Sequence, residues 1–196
     1  MIRLEGQTLV IASHNAGKAR EVAALFSPHV GALRFAADLG LAEPEEDGAS
    51  FEANAAIKAR AAARATGELA VADDSGLVVF ALDGAPGVHA KRWGGGDFER
   101  AMRRVHDALG DADRAAEMVC ALALATPDGD LEISEGRVRG RLTWPPRGAL
   151  GFGYEPMFVP DGETRTYGEM ERAEKHADDP RARAFAKLLE ACQGES

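Results

Sequence analysis

The chain has 196 residues and a net charge of −9, so it is a poor non-specific binder of nucleic acid, whose phosphate backbone attracts clustered lysine and arginine. It contains no apolar run long enough to span a bilayer and no signal-like segment at its start, so we expect a cytoplasmic protein with no membrane partner. An acidic chain can still bind a small anion through a few cations or a metal held by carboxylates.

The first element is an apolar run over residues 8–12, which predicts a strand; a helix is predicted from Lys18 to about Phe26. The polar loop between them would direct backbone N–H groups at its contents, which favours phosphate binding. It is not a Walker A loop, because Ala12 and Ala19 replace the required glycine and hydroxyl. An ordinary strand–helix connection is equally consistent with the loop, and any Mg²⁺ ligands must come from elsewhere in the chain.

An acidic loop over residues 43–48 follows a predicted short strand at 33–36. Such a charge run is usually solvated, although one carboxylate could turn inward as a metal ligand. Ser50 and Gly67 are the expected caps of a helix over residues 51–66. Asn54 and Lys58 lie one turn apart on this helix and therefore share a face, which on a surface helix usually points to solvent.

Two adjacent carboxylates, Asp73 and Asp74, separate the apolar runs 69–72 and 77–82. The pattern predicts a buried strand, a sharp turn and a second buried strand, since Asp, Ser and Gly form turns. Burying an unpaired carboxylate costs several kcal/mol, so a pair here is normally neutralised or bound to a metal. A plain turn and a metal site are both consistent with this stretch alone.

The rest of the chain alternates helices and strands. The patterns predict a helix over 98–109, a hairpin of strands 116–126 and 131–142, a short strand at 157–159, and a last helix from about 181 to 192. Helices alternating with strands, followed by a hairpin, indicate an α/β fold with a mixed sheet. Because no linker is evident, we expect one domain over residues 1–196.

Six motifs now fall in a recognisable order: SHNAGKARE, FEANAAIKAR, ADDSGL, GAPGVHAKRW, GFGYEPMF and EKHADDPRARAF. Over nearly the whole chain they resemble the inosine/xanthosine triphosphate pyrophosphatase family. The resemblance implies an elongated mixed β-sheet flanked by helices, in two lobes with the active cleft between them. It also implies a homodimer that uses Mg²⁺ to hydrolyse ITP, dITP and XTP to the monophosphate and pyrophosphate, cleansing the nucleotide pool.

Carried over position by position, the resemblance makes Asp74 the catalytic residue and a metal ligand, together with Asp73 and Glu46. The implied substrate-binding residues are Ser13, His14, Asn15, Ala16, Gly17, Lys18, Lys58, Ser75, Phe152, Gly153, Tyr154, Glu155, Lys175 and Arg181. We expect Phe152 or Tyr154 to stack on the purine and Arg181 to donate to its 6-oxo group, a position where adenine carries a donor of its own.

The sequence departs from the family pattern at three positions. Pro180 replaces a histidine, Glu155 replaces an aspartate, and His89 stands where a tyrosine is expected. These changes concern recognition of the base. Two alternatives therefore stand beside the leading one: a related house-cleaning pyrophosphatase with altered base preference, and a nucleotide-binding protein with little turnover.

Overall fold

The computed structural model describes residues 2–175 and 177–193 of the chain. Its strands are β1 Thr8–Ile11, β2 Ala32–Phe35, β3 Leu69–Val79, β4 Ala115–Ala125, β5 Leu131–Leu142 and β6 Phe158–Pro160. Its α-helices are α1 Ala16–Phe26, α2 Phe51–Thr66, α3 Phe98–Leu109, α4 Arg172–Lys175 and α5 Pro180–Gln193. In the part of the chain just defined, no helix is long and apolar enough to cross a membrane.

The strands form a sheet in the order β2-β1-β3-β4-β5-β6. Strand β1 is parallel to both β2 and β3, whereas β5 and β6 are antiparallel. The predicted α/β fold with a mixed sheet is therefore confirmed. In such a sheet, ligands bind beyond the carboxyl ends of the parallel strands, where connections leave a central strand in opposite directions. Strand β1 lies between β2 and β3, so the chain passes from β1 to one side and returns to the other. The polar loop 13–18 follows the carboxyl end of β1, and the middle of β3 lies just beyond the residues that pair with β1.

The helix and strand predictions hold to within a few residues. Helices α2 and α3 and strand β5 have the predicted limits, because their ends carry strong signals. The side chain of Ser50 accepts a hydrogen bond from the Ala53 N–H at the start of α2, and Gly67 ends this helix with a φ of 71°.

One local prediction was wrong. The chain does not turn at Asp73 and Asp74 but continues as a single strand, β3, through both residues and beyond. A strand can hold two buried carboxylates here because each has a lysine and a further donor within reach, so that neither charge is buried unpaired.

The chain divides into two compact units. Unit 1 comprises residues 1–74, 120–136 and 181–196; unit 2 comprises residues 75–119 and 137–180. The core of unit 1 is formed by apolar side chains of β1, α1, β4 and α5, among them Phe26, Leu122 and Leu188. The core of unit 2 joins α3 to the segments around β5 and β6, among them Val105, Met157 and Phe158.

Candidate active site

The two aspartates of β3 lie in unit 1 and are almost fully buried, with exposed fractions of 2% for Asp73 and 7% for Asp74. Consecutive side chains of a strand point to opposite faces of the sheet. The two carboxylates accordingly have different main partners. One is held by α1 and α5, and the other by α2.

Asp73 is bound by two cations through the same oxygen. Its Oδ2 lies 3.3 Å from the Lys18 Nζ and accepts a hydrogen bond of 3.0 Å from the Arg181 Nη2. The Nη1 of Arg181 donates to Glu21, which is also buried. Burial alone would raise the pKa of Asp73, but Lys18, Arg181 and Lys58 outweigh it and hold this pKa well below its usual range.

Asp74 faces α2. Its Oδ1 lies 3.6 Å from the Lys58 Nζ, and its Oδ2 accepts a hydrogen bond of 3.2 Å from the Asn54 Nδ2. Burial raises the pKa of Asp74, aided by the nearby Glu46 and opposed by Lys58 and Lys18. A carboxylate with a raised pKa is better suited to accept a proton near neutral pH than an ordinary aspartate.

Lys58 joins Asp74 to the acidic loop. Its Nζ lies 2.8 Å from the Glu46 Oε1, so that one ammonium contacts carboxylates from two segments. Burial would lower the pKa of Lys58, but Asp74, Asp73 and Glu46 together raise it. The lysine is therefore charged at neutral pH, and the prediction that one acidic side chain of this loop turns inward agrees with the position of Glu46.

Asn54 fixes the loop that carries Glu46. Its Oδ1 accepts a hydrogen bond of 2.8 Å from the Gly48 N–H, while its Nδ2 donates to Asp74. A Cβ atom at position 48 would lie 2.6 Å from the Asn54 Oδ1 and 2.8 Å from the Ala53 Cβ, so this close approach requires glycine. The amide thus ties the acidic loop to the strand that bears the aspartates.

The loop predicted to bind phosphate precedes α1. The Asn15 Oδ1 caps this helix by accepting from the N–H groups of Gly17 and Lys18, over 2.9 and 3.1 Å. The His14 Nε2 lies 2.8 Å from the Leu41 carbonyl oxygen, which can only accept, so the ring donates. Two of the N–H groups expected to face an anion are therefore bound within the loop, and Lys18 is its main cationic contribution.

A cavity of about 300 Å³ adjoins Lys58 in unit 1. Its wall is formed largely by alanines of α2 and by residues of the segment 41–44, with His14 at one side. An apolar wall of this kind offers few donors to a triphosphate. The cations of this unit that suit a phosphate are instead Lys18 and Lys58, beside the two aspartates.

The described residues contain no cluster of three histidine, cysteine or acidic side chains spaced to hold a metal without rearrangement. Lys58 lies between two of the three expected ligands, Glu46 and Asp74. The third, Asp73, has a buried Oδ1 with no hydrogen-bond partner among the residues that the structure covers. Carboxylate oxygens are the donors that Mg²⁺ prefers, and this partnerless buried oxygen is chemically suited to the ion.

Of the predicted base contacts, those between Phe152 and Lys175 lie in unit 2, whereas Arg181 lies in unit 1. Tyr154 is buried; its hydroxyl donates to the Ala90 carbonyl over 2.8 Å and its ring packs edge-on against Phe98. Phe152 is only half-buried, so of the two aromatic candidates it is the one whose ring is accessible. Ser75 and Gly153 are also half-buried residues of this unit.

The three residues that depart from the family pattern lie in different structural environments. Pro180 is the first residue of α5, a position where proline is favoured because the first N–H of a helix has no partner within the helix. His89 ends a short 3₁₀ helix and is exposed. Glu155 is buried and bound to Lys175.

Two residues of the site were missed by the sequence reasoning, Glu21 and Asn54. The spacing of Asn54 and Lys58 on one face of α2 was a usable signal, although it suggested solvent. Glu21 lies three residues after Lys18 and so on the same side of α1, but its partner Arg181 is 160 residues away along the chain.

The comparisons with known proteins identify the family of the chain. The family model described as the Ham1 family matches residues 9–191. The dITP/XTP pyrophosphatases of Rhodospirillum centenum and Zymomonas mobilis are 57% and 53% identical; each alignment covers 97% of this chain, and 97% and 94% of the relative. A HAM1 protein from Coxiella burnetii superposes with a TM-score of 0.86 at 34% identity, covering 95% of this chain and 98% of that one. The family model spans the whole of the site described above, and the chain belongs to the Ham1 family.

Proposed function

We propose that this protein hydrolyses deaminated purine nucleoside triphosphates, namely ITP, dITP and XTP, to the monophosphate and pyrophosphate. The observation that carries the proposal is the buried Asp74, held between Lys58 and Asn54, in a chain whose relatives at 53–57% identity are named dITP/XTP pyrophosphatase. We further propose that it acts in the cytoplasm and, as the resemblance of the sequence implies, that it does so as a homodimer.

Charge neutralisation is the first requirement of the reaction. A nucleoside triphosphate carries about four negative charges, and the leaving pyrophosphate gains more as the bond breaks. Lys18 and Lys58 supply positive charge beside the two aspartates. Since their aspartate and glutamate partners balance these ammonium groups in the protein alone, bound phosphate would compete with those carboxylates for the lysines.

Mg²⁺ is the cofactor that we propose, with Asp73, Asp74 and Glu46 as its ligands. The bound ion would supply charge neutralisation to the phosphate oxygens. The partnerless Asp73 Oδ1 supports its assignment as a ligand. Arg181 and Lys18 occupy the other oxygen, Oδ2, and so hold the carboxylate in one orientation.

Asp74 is the residue that we propose as the general base. By accepting a proton from water, Asp74 would allow the water oxygen to form a bond to the α-phosphorus while the bond from this phosphorus to the bridging oxygen breaks. The proton passes to Asp74, and pyrophosphate leaves with the electron pair. The hydrogen bond from Asn54 and the ion pair with Lys58 orient the carboxylate for this step.

The remaining proposed contacts concern the phosphates, ribose and base. The loop Ser13, His14, Asn15, Ala16, Gly17 and Lys18 is assigned to the phosphates, and Ser75 to a further substrate contact. Phe152 is assigned to stacking on the purine; Gly153, Tyr154, Glu155 and Lys175 shape the same part of unit 2. For Arg181 we propose support of Asp73 in place of the base contact implied by the resemblance, because both of its terminal nitrogens bind carboxylates.

The direct test is pyrophosphate release from ITP, dITP, XTP, dGTP, dATP and a pyrimidine triphosphate, with Mg²⁺ and with EDTA. We expect release from the three deaminated purines at rates at least tenfold above the others, and only with Mg²⁺. Binding of these nucleotides without release would favour the nucleotide-binding protein. Preference for another base would favour the related house-cleaning enzyme, for which the unusual Glu155 is the specific observation.

A further inference from the structure

Glu155 is unusual because its carboxylate binds two other residues of the proposed base site. Its Oε1 lies 2.8 Å from the Lys175 Nζ, and its Oε2 accepts a hydrogen bond of 3.0 Å from the Phe152 N–H. The Glu155 and Lys175 residues are only 6% and 5% exposed. The carboxylate therefore joins the chain at Phe152 to the ammonium of a residue 20 positions further on.

The backbone is shaped to admit this carboxylate. Gly151 has a φ of +80°, and a Cβ atom there would lie 1.7 Å from the Glu155 Oε2. The space next to residue 151 is thus filled by the end of the glutamate side chain. An aspartate is shorter by one carbon–carbon bond, about 1.5 Å, so from the same backbone position it could not make both contacts at these distances.

The two groups that Glu155 joins also lie near each other. The Lys175 Nζ is 5.5 Å from the centroid of the Phe152 ring, within the range of a cation–π contact. One group offers a flat apolar face and the other a charged donor. A flat ring next to a charged donor suits a purine that carries an acceptor at its edge.

We infer that Glu155 is a positioning residue that selects the purine base by fixing the Lys175 ammonium relative to the Phe152 ring, without contacting the substrate itself. The inference rests on the proposed function. The ammonium can donate to a 6-oxo group but meets another donor at the 6-amino group of adenine. If the ammonium is held in one place, an adenine base cannot avoid the mismatch by displacing it.

The test is a double-mutant cycle with the variants Glu155→Gln, Lys175→Met and the pair together. The measured quantity is the ratio of kcat/KM for dITP to that for dATP. We expect Glu155→Gln to lower this ratio about tenfold, mainly through a higher KM for dITP. Lys175→Met should lower it at least as much, and the double variant should be no worse than Lys175→Met alone, because Glu155 acts through the lysine.

Two results would overturn the inference: an unchanged ratio in Glu155→Gln, or a further tenfold loss when this substitution is added to Lys175→Met. The second result would mean that Glu155 contacts the substrate directly. If Glu155→Gln does not fold, as judged by thermal unfolding, Glu155→Ala replaces it in the cycle, because it removes both contacts and adds no bulk beside Gly151.

A matched control is available in unit 2. Glu117 is also a buried glutamate whose two oxygens are bound, at 3.1 Å by Arg137 and at 3.0 Å by Arg139. Glu117→Gln should leave the dITP to dATP ratio unchanged, and a change as large as that of Glu155→Gln would overturn the specific role. A wild-type protein that hydrolyses no deaminated purine refutes the proposed function; an active wild type with unaltered selectivity in the variants refutes only this inference.

Discussion

Arg181 donates from its Nη2 to the Asp73 Oδ2 over 3.0 Å, joining the start of α5 to the middle of β3. Its other terminal nitrogen binds Glu21 of α1, so two carboxylates share one guanidinium in the interior of unit 1. A buried carboxylate that loses its cation keeps the cost of leaving water without the compensating attraction. The arginine is therefore tied to the orientation of Asp73, and through it to the proposed metal site.

The first prediction follows from this arrangement. Arg181→Lys keeps the charge but cannot present two parallel nitrogens to Asp73 and Glu21. We expect kcat/KM to fall about tenfold, and by the same factor for dITP and dATP, because the disturbed group is a carboxylate near the phosphates. Steady-state assays on both nucleotides check this. A loss confined to dITP would instead establish the base contact that the family resemblance implies.

The second prediction concerns Asp74. Asp74→Asn retains the shape and the contact with Asn54 but removes the proton acceptor. Positioned general bases contribute about 10²- to 10⁴-fold, so we expect a loss of kcat in this range, with the protein still folded. Asp38→Asn, at an exposed position of the same unit, is the control and should retain wild-type activity. Near wild-type turnover by Asp74→Asn on dITP would refute the assignment.

The outcome for β3 shows what the sequence could and could not predict. The caps at Ser50 and Gly67 are local signals, so the limits of α2 were predictable. Two adjacent aspartates also looked like a local signal, for a turn, but Asp73 is neutralised by Arg181, which lies 108 positions away along the chain. No pattern of neighbouring residues carries that information, and so the strand was interrupted in the prediction where the structure continues it.

The residues of the candidate site also divide into those that a sequence motif identifies and those that only the folded structure reveals. The motif resemblance identified Lys18, Lys58, Glu46 and both aspartates, and the structure brings these together in unit 1. Asn54 and Glu21 were missed because their roles are to hold other side chains. A supporting residue of this kind is recognised by its contacts, which only the folded chain provides.

The third prediction concerns the acidic loop. In Gly48→Ala, the added methyl group would lie 2.6 Å from the Asn54 Oδ1, so the loop must shift and carry Glu46 with it. We expect the Mg²⁺ concentration for half-maximal activity to rise at least about tenfold, since changes to residues that support metal ligands typically cost 10- to 100-fold in affinity or activity. A magnesium titration of activity measures this. Ala49→Ser alters the exposed neighbouring residue and should titrate as wild type; an identical curve for Gly48→Ala would contradict the role of the loop.

The fourth prediction is the pH dependence of stability due to Asp73. Its pKa lies well below the ordinary value of 3.8, because Lys18 and Arg181 favour the ionised form more than burial disfavours it. Between pH 3.8 and the lower pKa of the folded state, the unfolded chain binds more protons at this position than the folded chain does. The stability that the ionised Asp73 contributes is therefore complete above pH 3.8 and is lost as the pH falls towards the folded-state pKa. The Asp73→Asn variant has no titratable group at this position, so its stability lacks this pH-dependent contribution.

The measurement is urea unfolding of the wild type and Asp73→Asn at about pH 7 and about pH 3, with EDTA present so that no metal contributes. Breaking a buried ion pair by removing one partner costs roughly 3 to 5 kcal/mol, and the variant should be less stable by about this much at neutral pH. At about pH 3 the difference should shrink by roughly 1 kcal/mol, since one pKa unit corresponds to about 1.4 kcal/mol. A difference that stays constant or grows on acidification would contradict a depressed pKa at Asp73.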